Sequence, residues 1–124
     1  MNKLYLSLIT KWFRMTQTGE KPEEYREVTE YWARRLTKGC TDKDALKELW
    51  WSIRCGFWYN YRLSEIDFNE GYYSEVELTL GYPRKDDKTR RLTKQIHSIT
   101  IGFGNPEWGA PTIRPVFIIK YKLA

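Results

Sequence analysis

The sequence predicts an α+β fold: a small, strongly bent sheet flanked by two to three short helices. Three observations lead there. Apolar residues alternate with polar ones at both ends of the chain, which is the period of a strand. Stretches between them carry helical spacing with caps and stops. The chain has 124 residues, of which 41% are hydrophobic, enough for one core and too short for two. A single domain over 1–124 is expected.

In KLYLSLI (3–9), Leu4, Leu6 and Leu8 fall on one face and predict a first strand. Thr10 opens a short helix, TKWFRMTQT, whose apolar side is Trp12, Phe13 and Met15 and whose stop is Gly19. EEYREV (23–28) predicts a second strand. Thr29 caps a helix in TEYWARRLTKG, with Trp32 and Leu36 on one face and Gly39 at its end. Thr41 opens TDKDALKELWWSIRCG, where Leu46, Leu49, Trp50 and Ile53 keep helical spacing up to Gly56. Trp50 and Trp51 are adjacent, so only one shares that apolar face.

The second half turns to strands. SEIDFNE (64–70) and SEVELTL (74–80) alternate on either side of Gly71, with Val76, Leu78 and Leu80 facing inward. The stretch 84–94 reads as a loop or hairpin. QIHSITIGF (95–103) predicts a further strand, placing His97 with Ile99, Ile101 and Phe103 as a buried, hydrogen-bonded residue. The loop GNPEWGAP leads to a last strand, RPVFIIKYK (114–122).

The net charge is +5. Most of it resides in RKDDKTRRLTK, where six bases meet two acids. Arg84, Lys85, Lys88, Arg90 and Arg91 are candidate phosphate contacts, and the solvated alternative stays open. With one His and no paired-cysteine spacing, neither a metal nor a cofactor is expected. No apolar run approaches the ~20 residues that span a bilayer, and no leader precedes the first strand. The expected location is the cytoplasm, with Cys40 and Cys55 reduced.

The stretch GEKPEEYR (19–26) poses the functional question. As a strand, 23–28 sets Glu24, Arg26 and Val28 on one face and Tyr25 and Glu27 on the other, with Lys21 in the turn before them. On a concave face these charges bind an anion, polarise a carbonyl or transfer a proton. On an open face they are solvated charges of little energetic weight.

Gly19-x-Lys21-x-x-Glu24-x-Arg26 resembles the GxKxxE/TxR signature of the ASCH domain family, whose fold is similar to the PUA barrel. Further segments resemble small bacterial and phage members: the first strand with Trp12, EEYREVTEYWARRL, DFNEGY, and GFGNPEWGAP before RPVFIIKYK. The resemblance implies a PUA-like small mixed β-barrel that binds RNA or a modified nucleotide in a cleft lined by the signature. Some members hydrolyse the amide of acetylated cytidine with the signature Lys, a Thr and a Glu, and another is reported to cut RNA. Carried over, Lys21 is the catalytic or substrate-contacting amine, Glu24 stands at the Thr position, and Arg26 orients the pocket or holds a phosphate beside Gly19. A hydroxyl donates and an ionised carboxylate only accepts, so Glu24 departs from the amidohydrolase pattern. The third carboxylate has four candidates: Glu65, Asp67, Glu70 and Glu107.

Asn69 and Tyr72 of the FNEGY turn and Trp108 of the Gly/Pro loop complete the candidate ligand contacts. Indole rings in loops stack on bases. Three functions follow: an RNA- or nucleotide-binding module, a hydrolase or metal-independent ribonuclease, and a module for a protein partner.

Overall fold

A computed structural model describes residues 2–37, 43–56 and 73–123. Strand β1 (Asn2–Leu8) buries Leu4, Leu6 and Leu8 and turns Tyr5 outward, as its alternation requires. Helix α1 (Thr10–Gln17) follows at once, with Ile9 at the cap position and Thr10 as its first residue. Strand β2 is Glu23–Arg26, helix α2 is Glu30–Leu36 and helix α3 is Lys43–Arg54. The Thr29 hydroxyl accepts from the Trp32 N–H at the start of α2, and Gly56, at φ 84°, ends α3. Strands β3 (Tyr73–Leu80), β4 (Arg91–Gly102) and β5 (Val116–Tyr121) complete the described elements.

The five strands form one mixed sheet in the order β1-β3-β4-β5-β2. β1 runs parallel to β3, and the other pairs are antiparallel. The sheet curls into a half-barrel, so the unpaired edges of β1 and β2 approach each other. The Arg26 guanidinium on β2 donates to the Ser7 carbonyl at the end of β1, 3.1 Å away. The main core includes Leu4, Phe13, Leu36, Ile53, Val76, Leu78, Ile99, Phe117 and Ile119. A smaller core of Tyr25, Ala110 and Val116, with Trp108 and Ile118 against it, covers the opposite face near β2.

Four local expectations change. The second strand stops at Arg26 rather than Val28, and Glu27 instead pairs with Arg114 at 3.4 Å. The basic stretch takes the hairpin form, and the strand expected at 95–103 starts earlier: Arg91 to Lys94 belong to β4, where Thr93 and Leu92 face Glu77 and Leu78 across the ladder. His97 is exposed rather than buried with Ile99 and Ile101, because the pairing with β5 shifts register between Ile96 and Ser98. Phe103 is likewise exposed. Trp50 packs on the core and Trp51 is exposed, the division expected of adjacent tryptophans. The expected strand 64–70, the stop at Gly39 and the cap at Thr41 lie outside the described residues. Among the described residues, no helix is long and apolar enough to cross a membrane.

Candidate functional site

The turn after α1 builds the site. Gly19, at φ 86°, lets the chain reverse, and its N–H bonds the Thr16 carbonyl at 3.2 Å. The Lys21 N–H then bonds the Met15 carbonyl at 3.0 Å, which anchors the turn to the end of α1. Gly19 itself is exposed. From this turn β2 pairs along β5, with Glu24 opposite Ile119 and Tyr25 opposite Ile118.

Lys21 has no exposed side-chain surface. Its Nζ donates to Glu24 Oε1 at 2.5 Å and lies 5.2 Å from the Trp12 ring centre and 5.7 Å from that of Tyr25. An enclosed ammonium without a carboxylate is strongly unfavourable, so these two side chains stand or fall together. Glu24 Oε1 also accepts the Tyr25 N–H at 2.9 Å. The other oxygen, Oε2, is 3.5 Å from Arg26 Nη1 and has no hydrogen-bond partner among the described residues. Arg26 in turn donates to the carbonyls of Tyr25 and Ser7.

Above this charge cluster lies a cavity of about 360 Å³ at the seam between the β1 and β2 edges. Ser7, Trp12, Glu24, Tyr25, Arg26 and Trp108 line it. Glu24 and Arg26 are thus the charges of the 19–26 stretch that meet the cavity, and Lys21 is the enclosed group that holds Glu24.

The GNPEWGAP loop is clamped onto this wall. Asn105 donates its N–H to the Tyr25 hydroxyl at 2.9 Å, and its side chain accepts from the Glu107 N–H at 3.0 Å. A side chain at Gly104 would collide with the Tyr25 ring, and one at Gly109, at φ 99°, would come within 2.9 Å of the Trp12 ring. These close approaches bring Trp108 to the cavity. Burial pushes the Tyr25 phenol well above its ordinary range; the Asn105 N–H opposes this and the Glu23 and Glu24 carboxylates add to it. Tyr121 is raised too, first by burial and then by the Glu24 charge, with Arg26 opposing.

The other expected residues fall elsewhere. Arg91 is tied to its own hairpin: it pairs with Glu77 at 3.1 Å and donates to the carbonyls of Pro83 and Arg84. Arg90 lies 3.5 Å from Asp87. Arg84, Lys85 and Lys88 are exposed. Glu107 is exposed on the loop. Asn69, Tyr72, Glu65, Asp67 and Glu70 lie outside the described residues. The structure adds Ser7 and Tyr25 to the cavity wall, and gives Trp12 a second role beside its place on an apolar helix face. A larger cavity, about 630 Å³, lies on α3 beside Lys47, Glu48, Trp50 and Trp51. It contains no buried ion pair among the described residues, so the charged seam is the stronger site.

The chain matches no family model, no curated protein and no solved structure. The chemistry of the seam therefore carries the functional reading.

Proposed function

We propose that the protein binds RNA or a nucleotide in the seam cavity. One observation carries this reading: Glu24, 4% exposed, belongs to the cavity wall, and its Oε2 has no hydrogen-bond partner among the described residues, with Arg26 Nη1 at 3.5 Å the cation beside it. A buried acceptor left open is costly unless a ligand donor completes it. The amino and imino groups of nucleobases are such donors. Trp108 offers an indole for stacking, and Arg26 offers a guanidinium for a phosphate. The resemblance of GEKPEEYR to the ASCH signature supports RNA as the ligand class.

The test is equilibrium binding of a labelled short single-stranded RNA to wild type and Glu24→Gln at low and moderate salt, with circular dichroism confirming that the variant folds despite the loss of the Lys21 pair. The expected result is saturable binding that weakens with salt and weakens further in the variant. Glutamine keeps an acceptor but replaces an acceptor-only group with a donor at the second position. Equal binding by both proteins would overturn the reading.

A second reading, hydrolysis, is favoured by the same pair: Glu24, held by the Lys21 ammonium, is a carboxylate of the cavity wall, the kind of group that takes a proton from water. Release of acetate from acetylated cytidine, or RNA fragments, by wild type and not by a Glu24→Gln variant shown by circular dichroism to be folded would establish it.

A further inference from the structure

Arg26 belongs to two cavities. On its far side lies a second cleft of about 380 Å³, lined by Ser7, Arg26, Tyr5, Tyr31, Trp32 and Tyr82 among others. Ser7 and Arg26 are common to both, so the guanidinium–carbonyl link across the half-barrel seam is the partition between them. The second cleft is distinguished by its rings. Tyr5, Tyr31 and Tyr82 are 59%, 57% and 95% exposed, and they are the three exposed tyrosines among the described residues. They come from three separate segments, yet all line one cleft. Tyr31 meets Trp32 edge to face at 4.9 Å, and the Arg26 guanidinium lies 5.6 Å from the Trp32 ring centre.

The electrostatic setting is equally specific. Tyr82 stands at the foot of the β3–β4 hairpin, two residues before the exposed Arg84 and Lys85. Arg91 fixes that foot by bonding the Pro83 and Arg84 carbonyls. Exposed rings beside a row of bases, with a guanidinium between two clefts, form the pattern that tracks a single strand: rings take the bases, and cations take the phosphates.

We propose that this cleft is a second base-binding subsite, so that the ligand is a single-stranded RNA crossing the seam at Arg26 rather than a mononucleotide. One base occupies the Glu24–Trp108 cavity, the intervening phosphate passes Arg26, and the next base stacks among Tyr5, Tyr31 and Tyr82. The strand then leaves toward Arg84, Lys85 and Lys88. This inference rests on the reading of the first cavity given above.

The test measures affinity for cytidine 5′-monophosphate and for a short single-stranded RNA in wild type, Tyr31→Ala, Tyr82→Ala and Trp108→Ala. All three rings are at least partly exposed, and circular dichroism checks the fold of each variant. The expected result is that Tyr31→Ala and Tyr82→Ala weaken RNA about fivefold or more and leave the mononucleotide unchanged, while Trp108→Ala weakens both. If the tyrosine variants bind RNA like wild type while Trp108→Ala does not, the second subsite is rejected and the first cavity stands; the tyrosine cleft then goes to a protein partner. Equal loss of RNA and mononucleotide in the tyrosine variants also overturns it, as an indirect structural effect. No effect of any variant on either ligand overturns both readings.

Discussion

Two charged stretches of this chain have nearly the same vocabulary and opposite fates. In 19–26, Lys21 and Glu24 are buried, in contact and fixed by neighbouring backbone. In 84–91, most side chains are exposed, and their pairings are longer or local. Counting charges does not separate the two. What separates them is where each lies: the first crosses a seam that α1, the Asn105 loop and two strand edges enclose, and the second caps a hairpin. Enclosure turns an ion pair from a minor surface term into a strict pairing requirement. It also sets a carboxylate in a cavity wall with one oxygen lacking a hydrogen-bond partner among the described residues.

The strongest way to break this contrast is to remove half of the buried pair. Lys21→Met strands the Glu24 charge and should cost about 3–5 kcal/mol in urea unfolding. Lys21→Met with Glu24→Leu should recover most of that loss, because an apolar pair of similar volume replaces both charges. The double variant should nevertheless fail to bind RNA, since the acceptor is gone. A single-variant cost below about 1 kcal/mol would place the pair in the surface class.

The loop that closes the seam is the next most sensitive point. Gly104→Ala drives a methyl into the Tyr25 ring, and Gly109→Ala combines a left-handed backbone with contact against Trp12. Each should cost about 1–3 kcal/mol and shift the emission of Trp108. Unchanged melting and emission would mean that the loop is not clamped as described.

Alkaline pH probes the same enclosure from the tyrosines. The folded-state phenols of Tyr25 and Tyr121 are raised. A raised group keeps its full contribution below the unfolded value of about 10 and loses it as pH climbs toward the folded value. Stability should therefore fall above about pH 10, by up to about 1.4 kcal/mol per pH unit for Tyr121. The Tyr121 hydroxyl has no hydrogen-bond partner among the described residues. Tyr121→Phe should thus be near neutral at pH 7 and flatten the alkaline slope, as unfolding at stepped pH would reveal.

Much of this architecture was legible in short windows. The Leu4–Leu6–Leu8 alternation, the Thr29 cap and the Gly56 stop depend on near neighbours, and each is found where the sequence places it. The spacing of Lys21, Glu24 and Arg26 left two outcomes open, a cluster on a concave face or solvated charges on an open one. What no window shows is burial from a distance. Tyr25 and Glu24 point to opposite faces of β2, yet both are buried, because the bond from Asn105 to Tyr25 brings in a loop 80 residues away. The register shift at Ile96–Ser98 leaves no residue signature, so His97 read as buried. The start of β4 was hidden because Arg91, Thr93 and Lys94 are polar, and the ladder with β3 makes them strand. The tyrosine cleft draws on positions 5, 31 and 82, which the β1–β3 pairing and the packing of α2 unite and no short window shows.

The smallest expected effects sharpen the contrast from the exposed side. Arg84→Ala, Lys85→Ala and Lys88→Ala should each change stability by less than about 0.5 kcal/mol. Arg91→Ala, a few residues on, should cost about 1–2 kcal/mol, since it removes the Glu77 pair and two carbonyl bonds at once. Stability and binding then separate. If the three exposed bases each meet a phosphate, the triple variant lowers the salt slope of single-strand binding by about 2, at roughly 0.7 per contact. Its unfolding midpoint should barely move. An unchanged slope would make the hairpin a solvated cap, and a lowered midpoint would make it part of the core's support. The expected pair of results gives the two stretches different work: the buried charges hold the shape of the cavity, and the exposed ones attract what enters it.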